Sequence, residues 1–360
     1  MFESILQDLR YGIRQLRKSP GFALVAILSL ALGIGANTAI FELVDAIRLK
    51  MLPVSNPQQL AYIDFEKGSA RSGWFSTRSA NLTYVQWQEI RAQQQAFSDV
   101  FAWSADRFNL TDGGEARFAE GLYVSGNFFQ GLGVNAILGR TFTAQDDNPT
   151  CANTGVVISN AFWQREYGGD RGVLGHMVSL NGHTLPIIGV TPASFFGVEV
   201  GSRYDVAIPL CADRLFAEDN IGRIPNRSAW WLSMMGRLKP GWTLERATSQ
   251  LHVVSPGIMR ATLPAAYKTA QAKRYLANKL GATDGGAGVS GLRRDYERPL
   301  WLLLATAGLV LLISGAKLAN LRWALASVRE REIGVRLAIG ASRSRLIRQF
   351  LAESLLLAVA

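Results

Sequence analysis

The sequence predicts a membrane protein in which an α+β domain, external to the membrane, is inserted between the first and second of its apolar α-helical spans. Three observations predict it: two uncharged runs of near membrane-spanning length, basic residues gathered at one flank of each, and an intervening stretch over 46–298 of alternating strand and helix signals. Apolar residues make up 48% of the 360 and charged residues 18%, against about 25% in soluble domains. That composition excludes a disordered chain. Two cysteines exclude a disulfide-dense scaffold or a zinc ribbon, and three scattered histidines (His176, His183, His252) exclude a histidine-built metal site.

The net charge is +10, which raises nucleic acid as a partner until its placement is considered. Residues 1–18 carry +2 and residues 322–350 carry +5, so most of the excess lies in two short segments, each beside an apolar run. This is the charge bias of cytoplasmic segments. Nucleic acid is therefore dropped, and the 9 tryptophans and 17 phenylalanines are read as core rather than as a stacking platform.

In chain order, residues 1–18 form a cytoplasmic N-terminal segment and residues 19–45 the first span. Ser19 to Phe41 is 23 residues without a charge; at about 1.5 Å per residue it crosses a hydrocarbon core of about 30 Å. A signal peptide shares the basic start, but its apolar region is about 7–15 residues, so the run reads as uncleaved. Within it Ala31, Gly35 and Ala39 recur four apart, a small-residue stripe suited to close helix packing. Residues 299–321 are the second span; Lys317 lies near its end, where the ammonium can snorkel to the headgroups. Residues 322–350 return to the cytoplasm, and residues 351–360 read as the start of a third span that the sequence cuts off.

The external segment, residues 46–298, reads as one or two mixed domains. Met177–Val190 is two apolar runs about Asn181-Gly182, a strong hairpin signal. Val156–Ser159 reads as a strand entering a short helix that stops at Gly168-Gly169, and Val206–Leu210 as another strand. Thr243 is an expected N-cap for a helix with Leu244, Ala247, Leu251, Val254 and Ile258 on one face, which Pro256 should kink or end. A further helix is expected over Leu82 to Phe97. Gly281 to Gly291, GATDGGAGVSG, reads as a flexible approach to the second span.

No catalytic constellation is evident. The glycine stretch lacks the Gly-Lys-Ser/Thr ending of a phosphate loop, and there is no Gly-x-Ser-x-Gly elbow or His-Glu-x-x-His pair. Asp112, Asp146 and Asp147 read as solvated turn residues. Cys151 and Cys211 lie on the external side, where a bridge closing about 60 residues would be worth roughly 4 kcal/mol; two buried free thiols are the other reading.

The run from Leu300 to Ala360, LWLLLATAGLVLLISGAKLANLRWALASVREREIGVRLAIG and onward, resembles the second span, cytoplasmic connection and third span of the FtsX-like permease domain of MacB-type ABC transporters. DLRYGIRQLRKSPGFALVAILSLALGIGANTAIFELVDAI resembles their first span. GLYVSGNFFQGLGVNAILGRTFTAQDD and VVISNAFWQREYGGDRGVLGHMVSLNGHTLPIIGV resemble their periplasmic core domain. The likeness covers nearly the whole chain and is nearest to the duplicated orphan permeases; Lys317 departs from the pattern.

The resemblance implies a multi-pass inner-membrane permease with its N-terminus cytoplasmic and its large domain periplasmic, and an FtsX-like domain from about residue 299. It also implies a coupling helix, matched here by Arg331, Glu332, Ile333, Gly334 and Arg336. The segment from Glu330 to Ile339 is amphipathic, suited to an inner membrane surface; its arginines could meet anionic lipid alone, but the resemblance implies docking on an ATPase subunit. The implied partners are that ABC ATPase and a second permease copy; whether a periplasmic adaptor joins them is left open by the sequence. No cofactor is expected in this chain, ATP and Mg being bound by the partner, and no enzymatic activity of its own. The alternative is a two-span sensor or scaffold with a ligand-binding external domain and no ATPase partner.

Overall fold

A computed structural model describes residues 20–44, 51–66, 69–76, 81–111, 115–147, 151, 154–217, 221–289, 291–328 and 338. The chain divides into two units, one of residues 49–293 and one of the flanking segments 1–48 and 294–360.

The unit of residues 49–293 is built on one ten-stranded mixed sheet. Its strands are β1 (Leu60–Phe65), β3 (Phe97–Asn109), β4 (Phe118–Val124), β5 (Leu138–Gly139), β6 (Val156–Ile158), β7 (Met177–Leu180), β8 (His183–Val190), β9 (Val206–Pro209), β11 (Ser233–Leu238) and β12 (Leu280–Asp284). The order runs β12-β1-β11-β3-β4-β9-β6-β8-β5, with β7 paired to β8. Short strands β2 (Trp74–Phe75) and β10 (Ala229–Trp230) pair separately. Strand periodicity assigns the two faces. Ala61 and Ile63 of β1 and Val100 and Ala102 of β3 join one core cluster, whereas Leu60, Tyr62, Phe101 and Trp103 join another. The first face is covered by α2 (Tyr84–Gln93), α4 (Asn160–Tyr167), α5 (Leu244–Ala261) and α6 (Thr269–Leu276), the second by α3 (Phe128–Leu132) and loops carrying Phe142, Phe195 and Val198.

Local chemistry sets most boundaries. Asn181 (φ 49°) and Gly182 (φ 80°) supply the left-handed pair that a tight hairpin needs, and β7 and β8 pair antiparallel across them. Thr243 Oγ1 accepts from the Arg246 amide and starts α5, and Ser159 does the same for α4, which ends at left-handed Gly168.

Two expectations are corrected and a third is narrowed. Pro256 does not end α5, which continues to Ala261; Ser255 Oγ donates to Leu251 O (2.7 Å) and accepts from the Leu280 amide (2.9 Å), fastening the helix to β12 at the turn where proline removes a bond. The helix expected over Leu82 to Phe97 is shorter: Thr83 caps it, it stops at Gln93, and Phe97 opens β3, held by the Gln94 side chain. Residues 281–289 are not a loose approach, because Gly281–Asp284 belong to β12 and Val289 forms a parallel bridge with Glu199.

In the other unit, the apolar runs fold as helices α1 (Pro20–Val44) and α7 (Gly291–Val328). Gly33 of α1 is buried, and a Cβ there would meet Leu311 Cδ1 at 3.0 Å. One turn on, Asn37 Nδ2 donates to Ala307 O at 3.3 Å. Among the described residues, no helix is long and apolar enough to cross a membrane. The described residues therefore do not show the expected spans over 19–45 and 299–321.

Candidate functional site

The coupling positions Arg331, Glu332, Ile333, Gly334 and Arg336 lie outside the described residues, as does Asp112. Ala31, Gly35 and Ala39 are described and exposed. The α1–α7 contact instead uses Gly33 and Asn37, a different stripe of the same four-residue period. Cys151 and Cys211 are bonded to each other, with Cα atoms 5.4 Å apart. Asp147, expected in solvent, is largely buried: its Oδ2 accepts from the Gly126 amide at 2.8 Å, while Oδ1 has no partner among the described residues. Burial pushes its carboxyl up to about 6, against the opposing pull of that bond and of Arg91.

The domain of residues 49–293 begins and ends on paired strands. The segment after α1 enters the sheet at β1, and the segment before α7 leaves it at β12. These two strands are antiparallel neighbours, with Ala61 opposite Asp284 and Phe65 opposite Leu280. Beyond the strands the two segments stay joined: the Gly285 amide donates to Leu60 O and the Leu52 amide to Gly286 O, both at 2.9 Å. Gly288 has φ +72°, and a Cβ there would stand 2.7 Å from Val198 O and 2.9 Å from Leu52 Cδ2, so only glycine fits. Leu52 and Val289, one from each segment, are buried in the same core cluster.

Two further ties hold this junction. Val289 donates to Val198 O at 2.9 Å and accepts from the Val200 amide at 2.8 Å. On the other side Arg237 of β11 spreads its guanidinium over the entry segment, donating to Ser55 O (2.7 Å), Asn56 O (3.1 Å) and, on α3, Gly131 O (2.9 Å). A planar fork of donors suits three carbonyls held at fixed angles better than a lysine point charge would. Neither Arg237 nor Val289 was visible as a functional position in the sequence; the glycines of 281–291 were the signal, read as flexibility when they mark close approach.

Beside the Val198–Val200 tie lies a small groove of about 80 Å³, open to solvent, with Leu122, Val198 and Tyr204 among its apolar walls. Glu199 faces it, half buried, and accepts from Trp103 Nε1 at 3.4 Å. Burial raises its carboxyl above the ordinary range, the indole bond partly opposing. No group of histidine, cysteine and acidic residues among the described residues could hold a metal ion.

Residues 23–253 match the family described as the MacB-like periplasmic core domain, and residues 304–360 match the FtsX-like permease C-terminal family. Over 56 residues the chain is 43% identical to the macrolide export ATP-binding/permease protein MacB of Rhodopirellula baltica; the aligned part is 16% of this chain and only 8% of that relative's length. Among solved structures, the chain is similar to the periplasmic region of MacB from Actinobacillus actinomycetemcomitans, with TM-score 0.42, 14% identity, and 69% of this chain and 94% of that one covered. It is also similar to the extracellular domain of the ABC-type transporter YknZ from Gram-positive bacteria, with TM-score 0.38, 10% identity, and 55% and 94% covered. The domain match over 23–253 is the comparison that carries weight.

Proposed function

The chain belongs to the family defined by the MacB-like periplasmic core domain, with an FtsX-like permease segment after it, and on that premise we propose that it is the permease part of an ABC transporter that passes ATPase-driven movement across the inner membrane to its external domain. In this reading α1 and α7 are membrane spans, residues 1–18 and 322–350 are cytoplasmic, and the body between them is periplasmic. Arg331, Glu332, Ile333, Gly334 and Arg336 dock on a separate ABC ATPase, which supplies ATP, Mg and the hydrolysis, while the permease itself catalyses nothing. A second permease copy and a periplasmic adaptor complete the assembly, with Ala31, Gly35 and Ala39 available for helix packing in it.

The observation that supports the transmission reading is the pairing of β1 with β12. Strands that receive the chain from the two helices share a hydrogen-bond ladder, so a relative displacement of the helices is delivered to one sheet edge rather than dissipated in two loops. The test is purification of the full chain from native membranes in mild detergent. An ABC ATPase copurifies and loses its stimulation when Glu332→Lys or Gly334→Pro is introduced. If no ATPase copurifies and both variants retain wild-type behaviour, the chain is better described as a sensor or scaffold.

A further inference from the structure

We propose that the domain of residues 49–293 binds a lipid surface rich in anionic headgroups, through a face built from residues 69–76 and helix α6. The first reason is charge. Residues 246–283 hold six lysines and arginines and no aspartate or glutamate, whereas the rest of the domain holds 17 basic and 19 acidic residues. Lys268, Lys273, Arg274 and Lys279 of that stretch are exposed, and none forms an ion pair among the described residues. The acidic groups around them are engaged: Glu66 meets His252 at 2.6 Å, Asp64 accepts from Asn81 at 2.7 Å, and Arg223 takes Asp213 (2.6 Å) and Asp106 (3.4 Å). The counter-charge for this face therefore has to come from outside the domain.

The second reason is a pair of rings. Trp74 and Phe75 of β2 are 51% and 43% exposed, yet the backbone that carries them is firmly held. Ala70 exchanges two hydrogen bonds with the Asn278 side chain (2.9 and 3.0 Å), and the Ser72 amide donates to Tyr267 Oη at 2.8 Å. Gly73 has φ +135°, and a Cβ there would collide with Ser228 O, which accepts from the Trp74 amide at 3.0 Å. Phe75 stacks on Trp230, and Trp230 packs on Tyr275 of α6, with ring centroids 6.1 and 6.3 Å apart. Tyr267 precedes Lys268 and Tyr275 follows Arg274, so the rings and the cations lie side by side. Aromatic rings settle at the level of lipid headgroups, and lysine and arginine meet the phosphates there. Three of the four cations are lysines, compact charges suited to mobile headgroups, where a folded acidic partner would favour arginine forks around an apolar centre. This binding does not depend on the transport reading above.

The test is vesicle cosedimentation of the full chain, held in phosphatidylcholine nanodiscs, with empty discs as the control. One set of vesicles is phosphatidylcholine alone, the other an equimolar mixture with phosphatidylglycerol. The wild type sediments with the anionic vesicles and not with the neutral ones. Lys268→Glu with Lys273→Glu and Arg274→Glu weakens this binding at least tenfold, and Trp74→Ser with Phe75→Ser at least fivefold. Arg171→Glu with Arg203→Glu and Lys239→Glu makes the same charge change at three exposed positions elsewhere and leaves binding within twofold. Absence of wild-type binding, equal binding to neutral vesicles, or equal losses in the two triple variants overturns the proposal. So does unchanged binding in the ring variant, because charge alone would then attract any polyanion, an acidic protein included. The comparison of the two vesicle types needs no variant and stands even if one of them folds poorly.

Discussion

The amide of Leu52 donates a 2.9 Å hydrogen bond to the carbonyl of Gly286, so the chain entering the external domain is bonded to the chain leaving it. Leu52 lies 8 residues before β1 and Gly286 2 residues after β12. The pairing of the two strands therefore continues past their ends, and the domain is held by a joined root rather than by two independent tethers.

Gly288→Ala places a Cβ against Val198 O in a left-handed backbone conformation. The expected loss is about 1–3 kcal/mol of domain stability, read by denaturant unfolding, together with faster hydrogen exchange at the Leu52, Val289 and Val200 amides. Gly168→Ala, also left-handed (φ +59°) but facing open space, is the comparison: it carries the backbone strain without the collision. Equal losses in the two variants would mean the junction is not as tightly packed as described.

Arg237→Lys keeps the charge and removes the fork. With three backbone carbonyls no longer jointly satisfied, a loss of about 2 kcal/mol is expected, and protease cleavage between residues 52 and 59 becomes faster. Urea melts and limited proteolysis of the same preparation measure both; a lysine variant as stable and as resistant as the wild type would show that the fork is dispensable.

Asp147 gives a pH signature of definite sign. Its folded pKa, about 6, lies above the unfolded value of about 3.9. Its contribution is therefore full below pH 4, falls as pH rises through 6, and levels off above 7, a span of about 2–3 kcal/mol. The groups facing it are the Gly126 amide, Arg91, Asp146 and Tyr84. Asp147→Asn retains an acceptor for Gly126 and abolishes this slope, so it gains on the wild type at pH 7 and not at pH 4. Thermal midpoints of the two proteins between pH 4 and 8 decide it, and parallel curves would refute it. The neighbour Asp146, where burial is outweighed by bonds from Arg140 and Thr143, sits below its ordinary value and titrates in the opposite sense in both proteins, so it cancels in the difference.

The Cys151–Cys211 bond closes a loop spanning 60 residues. Its removal by Cys151→Ser with Cys211→Ser is expected to cost about 4 kcal/mol on the chain-entropy view. Chemical denaturation of oxidised protein and of the double variant measures the difference. A gap below about 1 kcal/mol would show that the unfolded loop is already restrained by other means.

What could be read from sequence was what depends on neighbours in the chain. The Asn181-Gly182 hairpin, the Thr243 cap, the Val156–Ser159 strand entering a short helix and the apolar face of α5 each rest on a few adjacent residues, and each forms. The misreadings share a different cause. Phe97 fitted a helical spacing after Ile90 but is taken by β3, where cross-strand partners decide. Pro256 was expected to kink or end α5, and the helix runs on past it to Ala261 with Ser255 fastened to β12. Asp147 looked like any turn aspartate until packing closed over it, and Glu199 carries no local motif at all. Glycines from 281 to 291 read as slack because sequence shows the missing side chain without the neighbour that requires it missing.

The β1–β12 pairing also bears on how such a body is attached. A domain whose first and last strands are adjacent presents its two ends as a single plug. More than two hundred residues are then joined to the flanking segments at one place, with entry and exit held side by side. A change at either end of that root is therefore felt at the other, whichever flanking helix it comes from.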